Sequence, residues 1–374
     1  MHRPLFFYSD GYMGYDMGPR HPLKPRRLKM TYDLLEAYGM FEDVLEVREP
    51  QPAIPEEVAH THSRDYLEVL SALDRGESVR DLNRYGFGSG DNPIFPAMYE
   101  TSLLYTGGSV AAAQALIDGE GGGQVAFNIS GGLHHAHYAR AAGFCVLNDC
   151  AVAVRRLRTK FARVAYVDID VHHGDGVQES FYDDPNVLTV SLHESGRTLF
   201  PGTGFAEEIG EGAGVGASVN LTFAPETTDD LWLAAWRASA LPILKVFQPD
   251  AILLQMGTDT HEFDPLAHLC LSAQGWLEAI KDVQALGKPI VAVGGGGYNL
   301  TTVPRMWTLA VSTLAGVSLP DETPVSYAHH SQMPTLTDHH TPDVSVRSCE
   351  RARLFAEESV EDLKELLFLH YGLA

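Results

Sequence analysis

The sequence predicts an α/β protein of three layers, with a central, mainly parallel sheet between two helical layers. Three observations predict it. Short apolar runs of strand length alternate with longer helical patterns from Leu5 to about residue 316. Several of these runs stop at glycine-rich or acidic segments, as at Gly131-Gly132, Asp168, Gly257 and Gly294 to Gly297. Polar and titratable residues collect at the same places, where open parallel sheets carry their sites. Neither a repeat nor a linker interrupts the pattern. One domain is expected over 1–374, with its core at about 5–316 and a C-terminal loop and helix at about 317–374.

The elements follow in order. Residues 5–8 read as the first strand, followed by a loop with Gly11, Gly14 and Gly18. Pro25 opens a helix bearing Leu28, Leu34 and Leu35, which Gly39 ends. The basic residues at its start, Lys24, Arg26, Arg27 and Lys29, read as a solvated helix end. A helix is expected at 64–73, then a glycine- and proline-rich loop at 80–96, long enough to belong to a site. A helix of small residues at 97–117 precedes a buried strand at 124–128. The next helix, about 147–161, has Asn148 and Asp149 where caps are expected. Then come a helix near 177–182, a strand at 187–192, one helix over 231–247 and a strand at 250–256. A helix at 273–286, a strand at 289–293 and a helix at 302–316 complete the core. The segment 319–350 is rich in Pro, Thr and His. Its pairs His329-His330 and His339-His340 lack an acidic strand partner and read as surface loop, before a last amphipathic helix at 351–370.

Composition narrows the functional classes. The chain has 374 residues, 45% hydrophobic and 20% charged, with a net charge of −22, which argues against intrinsic affinity for nucleic acid or anionic membranes. Cys145, Cys150, Cys270 and Cys349 form neither a paired zinc spacing nor a disulfide framework. The N-terminal apolar run is too short for a signal peptide and no stretch reaches membrane-spanning length. A cytoplasmic enzyme of a reducing compartment is expected, without a nucleic-acid or membrane partner.

The chemistry centres on Tyr166 to Gly176, which reads YVDIDVHHGDG. Side chains two apart on a strand share a face, so Asp168, Asp170 and His172 are expected on one side and Val167, Ile169 and Val171 on the other. Two carboxylates and an imidazole on a buried face call for a cation, and this donor set suits zinc, iron or manganese. Asp259, also beyond a strand end, is the natural third ligand. The strand at 124–128 delivers His134 and His135, and Asp168 and Asp175 supply two spare acids for two histidines. Tyr298, after four glycines, is placed to present a phenol to a developing oxyanion.

Five stretches together resemble the histone deacetylase superfamily, and within it the class I-related bacterial branch that includes acetoin-utilisation deacetylases. They are His21 to Pro25, Gly131 to Ala136, Asp168 to Gly176, Phe200 to Gly204 and Gly294 to Asn299, and the resemblance covers most of 5–315. It implies an arginase/deacetylase-like fold and zinc-dependent hydrolysis of acetyl-lysine amides on proteins or peptides, with acetyl-CoA synthetase one candidate substrate. It implies zinc, which iron can replace, on Asp170, His172 and Asp259. His134 and His135 would bond to Asp168 and Asp175 respectively, and Tyr298 would be the transition-state tyrosine. Gly143, Phe144 and Phe200 would line an acyl-lysine channel, Asp91 would hold the substrate backbone at its rim, and Arg27 would sit on an acetate-release channel. Leu266 stands where polyamine-selective relatives carry an acid, which leans away from the alternative of an acetylpolyamine or other small acylated amine. Potassium or sodium is implied at Asp168, Asp170, His172, Ser191 and Leu192, and a second such ion at Phe181, Asp184 and Val187.

Overall fold

A computed structural model describes residues 3–88 and 90–374; position 89 of the loop expected at 80–96 lies outside the described residues. Eight strands form one sheet: β1 (Leu5–Phe7), β2 (Glu46–Arg48), β3 (Val125–Asn128), β4 (Val164–Asp168), β5 (Val187–Glu194), β6 (Ser218–Phe223), β7 (Ala251–Gln255) and β8 (Ile290–Val293). Their order is β2-β1-β3-β8-β7-β4-β5-β6 and every pairing is parallel. The helices are α1 (Arg26–Ala37), α2 (Met40–Asp43), α3 (Pro55–Val58), α4 (Arg64–Asp74), α5 (Met98–Asp118), α6 (Asp149–Arg158), α7 (Asp175–Phe181), α8 (Asp229–Ala238), α9 (Ala240–Phe247), α10 (Ala273–Gln284), α11 (Val303–Leu314) and α12 (Val346–Leu367).

Alternation along the strands builds the three layers. On β4, Val164 and Tyr166 pack with Cys150, Val154 and Leu157 of α6 and with the alanines of α5. Ala165 and Val167 point the other way, into a larger core that holds Trp232, Trp236, Trp276 and Trp307. Both faces of a parallel sheet are buried, which is why its strands read as continuous apolar runs rather than as an alternation. The helix start at 148–149 is as expected: Asn148 Oδ1 accepts from Ala151 N at 2.9 Å.

Four features depart from the sequence reading. β2 is a three-residue, half-buried strand whose Glu-Val-Arg carries almost no strand signal. β6, Ser-Val-Asn-Leu-Thr-Phe, alternates in type but is buried throughout, and its polar residues hid it. The helix expected at 231–247 is two helices, broken at Ser239 (φ −133°, ψ −73°). Pro242 accounts for the break, since a continuous helix would drive its ring into the carbonyl of Ala238 and leave that carbonyl without a donor. Finally, β4 stops at Asp168, so Asp170 and His172 project from the following turn and not from the strand face. The acids themselves turn the chain: Asp168 Oδ1 accepts from Asp170 N at 3.1 Å, and Asp170 Oδ1 from His172 N at 3.0 Å.

The segment after α11 packs back on the core. Asp338 accepts from Arg305 Nη2 at 2.9 Å and lies 3.0 Å from His261 Nε2. The paired histidines are on the surface, as expected, but two of them do meet acids: His339 bonds to Asp321 at 2.8 Å and His340 to Glu262 at 2.5 Å. Among the described residues no helix is long and apolar enough to cross a membrane. Leu254 is fully buried at the centre of the sheet. Leu254→Ala is expected to lower the unfolding free energy by about 2–5 kcal/mol, read from the shift in the denaturant midpoint.

Candidate active site

The carboxyl ends of β3, β8, β7 and β4, four neighbours in the sheet, all open on one place. They carry, respectively, His134 and His135, Tyr298, Asp259, and the run Asp168 to His172. The turn after β3 is held from inside. Asp149 accepts from Gly132 N at 3.0 Å, Leu133 N at 2.8 Å and Ser109 Oγ at 2.5 Å. Gly132 (φ +95°) passes so close to Gly294 that a Cβ would lie 2.6 Å from that backbone.

The two histidines meet two acids. His134 Nδ1 donates to Asp168 Oδ2 at 2.7 Å and His135 Nδ1 donates to Asp175 Oδ1 at 2.7 Å. Their Nε2 atoms lie 3.0 Å apart, so one ring donates to the other. All four side chains are buried. Burial lowers the His134 pKa, but the charges of Asp168 and Asp170 and the Asp168 hydrogen bond outweigh it and hold the imidazole up at about 9. Burial and the neighbouring His134 cation push His135 down to about 4, against Asp175. The surrounding acids and the contact between the rings thus shift the two imidazoles in opposite directions, His134 up and His135 down.

Beside them, His172 Nδ1 lies 3.1 Å from Asp170 Oδ1 and 3.0 Å from Asp259 Oδ2, and one donor atom from each of the three falls within 4.8 Å of the others. Each acid keeps one oxygen on this centre and has the other pinned. Asp170 Oδ2 accepts from Gln255 Nε2 and from Gly296 N, both at 2.7 Å, and Asp259 Oδ1 accepts from Val171 N at 2.9 Å. Two carboxylates and one imidazole, oriented by such contacts and with further positions open, fit a divalent metal of the catalytic type. Burial opposes a proton on His172, but bonds to Asp170 and Asp259 hold its pKa well above the usual value. A second group of buried donors, His134, Asp168 and Asp170, is equally compact, but His134 and Asp168 spend their facing atoms on each other.

Above this centre stands Tyr298. Burial, then the charges of Asp259 and Asp170, keep it a phenol. Its backbone N donates to Asp264 at 2.8 Å, and its ring meets Phe144 edge-on at 5.7 Å. Phe200, 42% exposed, meets His135 edge-on at 5.0 Å, and a Cβ on Gly143 would lie 2.8 Å from the Phe200 ring. Phe144 and Phe200 thus lie against Tyr298 and His135, and a side chain at 143 would collide with His135 and Phe200. On the inner side a cavity of about 20 Å³ is lined by Leu23, Arg27, Cys145 and Tyr298 among others. Arg27 is buried and not solvated, unlike its basic neighbours. Its Nη1 donates to Gly297 O at 2.7 Å, its guanidinium lies 5.1 Å from the Trp307 ring, and its Nε has no partner.

Other expected residues sit further out. The Asp91 side chain is exposed, while its carbonyl lies 3.2 Å from His21 Nε2 and its neighbour Asn92 accepts from Phe144 N at 2.9 Å. Leu266 is half-buried on the loop after β7, its N donating to Asp264 Oδ1 at 3.0 Å. Ser191 and Leu192 lie on β5, Ser191 in register with Asp168. Phe181, Asp184 and Val187 share one turn, in which Phe181 O accepts from Asp184 N at 3.0 Å and Asp184 O from Val187 N at 3.3 Å. Sequence reading missed Gln255 and Asp264. Gln255 is the one polar residue of β7, and Asp264, pushed up to about 7 by burial and then by Asp259, precedes a proline in the same loop.

A sequence model described as the histone deacetylase domain matches residues 21–314. The chain belongs to the histone deacetylase family. It is 39% identical to the acetoin utilization protein AcuC of Bacillus subtilis (strain 168) over 87% of this chain and 85% of that protein. It is 37% identical to histone deacetylase 1 of Homo sapiens, over 86% of this chain and 67% of that one. A crystal structure of a histone deacetylase homologue complexed with SAHA superposes with a TM-score of 0.86 at 33% identity, covering 97% of this chain and 100% of the other. The eight-stranded sheet is thus the arginase/deacetylase-like fold, and the chain is a deacetylase-class hydrolase.

A metal binding at Asp170, His172 and Asp259 must displace the His172 proton. Binding is therefore expected to weaken as pH falls and to release a proton. Calorimetric titration of the chelated protein with zinc, in buffers of different ionisation enthalpy, reads that release directly, and Asp259→Asn is expected to lose the high-affinity site.

Proposed function

We propose that this deacetylase hydrolyses the amide of acetyl-lysine on a protein or peptide, releasing acetate, with zinc held by Asp170, His172 and Asp259. The observation that carries the proposal is a histidine pair, each ring on its own carboxylate, beside a compact three-donor group, with Tyr298 lining the same cavity as both histidines and Asp170. Bound there, the metal supplies Lewis-acid polarisation of the amide carbonyl and acidifies a water. His135, oriented by Asp175, would take the water proton at Nε2, giving up its contact with His134 Nε2 as substrate and water enter. The protonated histidine pair would then supply the proton that the leaving amine needs. Tyr298 donates its hydroxyl to the developing oxyanion, a contact that strengthens only as charge appears. Phe144 and Phe200, whose rings meet Tyr298 and His135, would flank the methylene chain of a lysine, with Gly143 adding no side chain there.

The remaining assignments belong to the same proposal. Asp91 would hold a peptide backbone at the rim, and Arg27 would meet departing acetate. Potassium or sodium would occupy the backbone oxygens near Asp168, Asp170, His172, Ser191 and Leu192, with a second ion near Phe181, Asp184 and Val187. Iron suits the same three catalytic ligands. An acetylated synthetase or another acetylated protein fits the substrate class. The apolar Leu266 disfavours a polyamine, whose second ammonium group would gain nothing from it.

Turnover of a fluorogenic acetyl-lysine peptide is expected to vanish on chelation and to return with about one equivalent of zinc. Tyr298→Phe is expected to keep the metal and the melting temperature while losing about 10²–10³-fold in kcat. Full activity in that variant would remove Tyr298 from the reaction, and inert zinc-loaded protein that cleaves acetylpolyamines would replace the substrate assignment.

A further inference from the structure

One imidazole of the same motif has no part in the chemistry above. His137 follows His134-His135-Ala136 and lies mostly buried, its side chain 18% exposed. It reaches the acid that serves His135. Asp175, the first residue of α7, divides its two oxygens: Oδ1 accepts from His135 Nδ1 at 2.7 Å and from Gly176 N at 3.0 Å, while Oδ2 faces His137 Nε2 at 3.3 Å. The other ring nitrogen of His137, Nδ1, faces Glu179 Oε2 at 2.5 Å. Each nitrogen therefore has a carboxylate oxygen within reach, and Nε2 also has Arg140 Nη2 at 3.3 Å. A neutral ring would donate from Nδ1 to Glu179 and accept from Arg140 at Nε2, whereas an imidazolium sets an N–H toward each acid.

The groups around the ring favour the imidazolium. Asp175 and Glu179 face it from α7. Arg140, on its own loop, is exposed, with Nη2 3.3 Å from Nε2. From the segment between α3 and α4, the ring of His62, kept neutral by burial, bonds through Nδ1 to the His137 carbonyl at 2.9 Å. Two carboxylates fixed on a helix outweigh one guanidinium that can turn to solvent. Burial pulls the His137 pKa down, but the bonds and charges of Asp175 and Glu179 raise it to about 9. The backbone that carries the ring is itself held, since His137 N donates to Arg140 O at 3.0 Å.

We propose that His137 is a positioning residue: as an imidazolium it holds the outer oxygen of Asp175, fixing that carboxylate and with it the ring orientation and Nδ1–H tautomer of His135. The proposal deepens the reading of His135 as the base. Without His137, the Asp175 side chain keeps one anchor on its outer oxygen fewer and rotates, and His135 rotates with it. His137 itself touches neither substrate nor the metal ligands.

Two measurements test this on the zinc-loaded full chain, one without turnover. Nitrogen-15 spectra of labelled histidine are expected to show both His137 nitrogens protonated at neutral pH, and Glu179→Gln to lower the midpoint at which that signal is lost. In His137→Leu, the His135 signals are expected to lose their single tautomer. Kinetically, His137→Leu is expected to lower kcat by about 10–100-fold with KM, zinc content and melting temperature unchanged. His137→Lys, which keeps a cationic donor within reach of Asp175, is expected to recover most of the loss. A singly protonated His137 overturns the proposal. So does a His137→Leu protein with unchanged kcat and unchanged His135 signals. If His137→Leu fails to fold, the Glu179→Gln titration and the Lys variant decide. Wild-type protein inert on acetyl-lysine would refute the substrate reading while leaving the His137 and His135 spectra to judge this one.

Discussion

Buried negative charge is the constraint on which the rest of this structure depends. Asp149, Asp168, Asp170, Asp175, Asp259 and Asp264 all lie under the surface at or near one end of the sheet. An unanswered carboxylate there costs several kcal/mol, so each has its donors. Backbone amides answer Asp264 and, with the Ser109 hydroxyl, Asp149, while amides and imidazoles together answer Asp168, Asp170, Asp175 and Asp259. Most of those donors belong to loops. The loops are therefore held as firmly as the strands they leave, and the side chains they carry are pre-positioned.

The parallel sheet makes this arrangement geometrically possible. Four adjacent strands end together, and their loops converge from different stretches of chain. Convergence that tight leaves no room for side chains at two points. A Cβ on Gly257 would lie 2.2 Å from Asp170 Oδ2, and one on Gly296 would lie 2.0 Å from Asp259 Oδ2. These two glycines let the backbone close over Asp170 and Asp259 and let Gly296 lend its amide to Asp170. Their role is access and donation more than flexibility.

The same burial makes two chemically identical histidines unequal. His134 faces Asp168 with Asp170 close behind, and these charges push its pKa up. His135 faces Asp175, but burial and then the neighbouring His134 push it down. Two residues of one type, 3.0 Å apart, are thus shifted in opposite directions. Asp175 also differs from Asp168 in its second partner, a further imidazole where Asp168 has the Tyr166 hydroxyl.

Much of the fold was legible because apolar periodicity is a local property. β3, β4, β7 and β8 are strongly apolar runs, and each ends in glycine or acid. β2 and β6 were not legible: three half-buried residues carry no pattern, and Ser218, Asn220 and Thr222 are buried only because Gln178 and Ser359 bond to Ser218, Asn220 and Thr222 across the fold. Pro242 is visible in the sequence, but a proline can open, kink or break a helix, and its neighbours in the fold decide which. The stop of β4 at Asp168 comes from the Asp168 and Asp170 side chains capturing the amides two residues on, a competition that strand periodicity cannot express.

By itself the sequence determined the residue types at the strand ends, the run Asp168 to His172, and the histidine pair after Gly131-Gly132. Those are properties of neighbours within one strand or turn. Only the tertiary structure decided that β3, β8, β7 and β4 lie side by side, and so that His134 meets Asp168, Gly296 meets Asp170, and Asp175 is shared by His135 and His137. Such pairings join residues 34 to 126 positions apart. Nothing in a local pattern sets them, because sheet order follows from how the helices cover both faces.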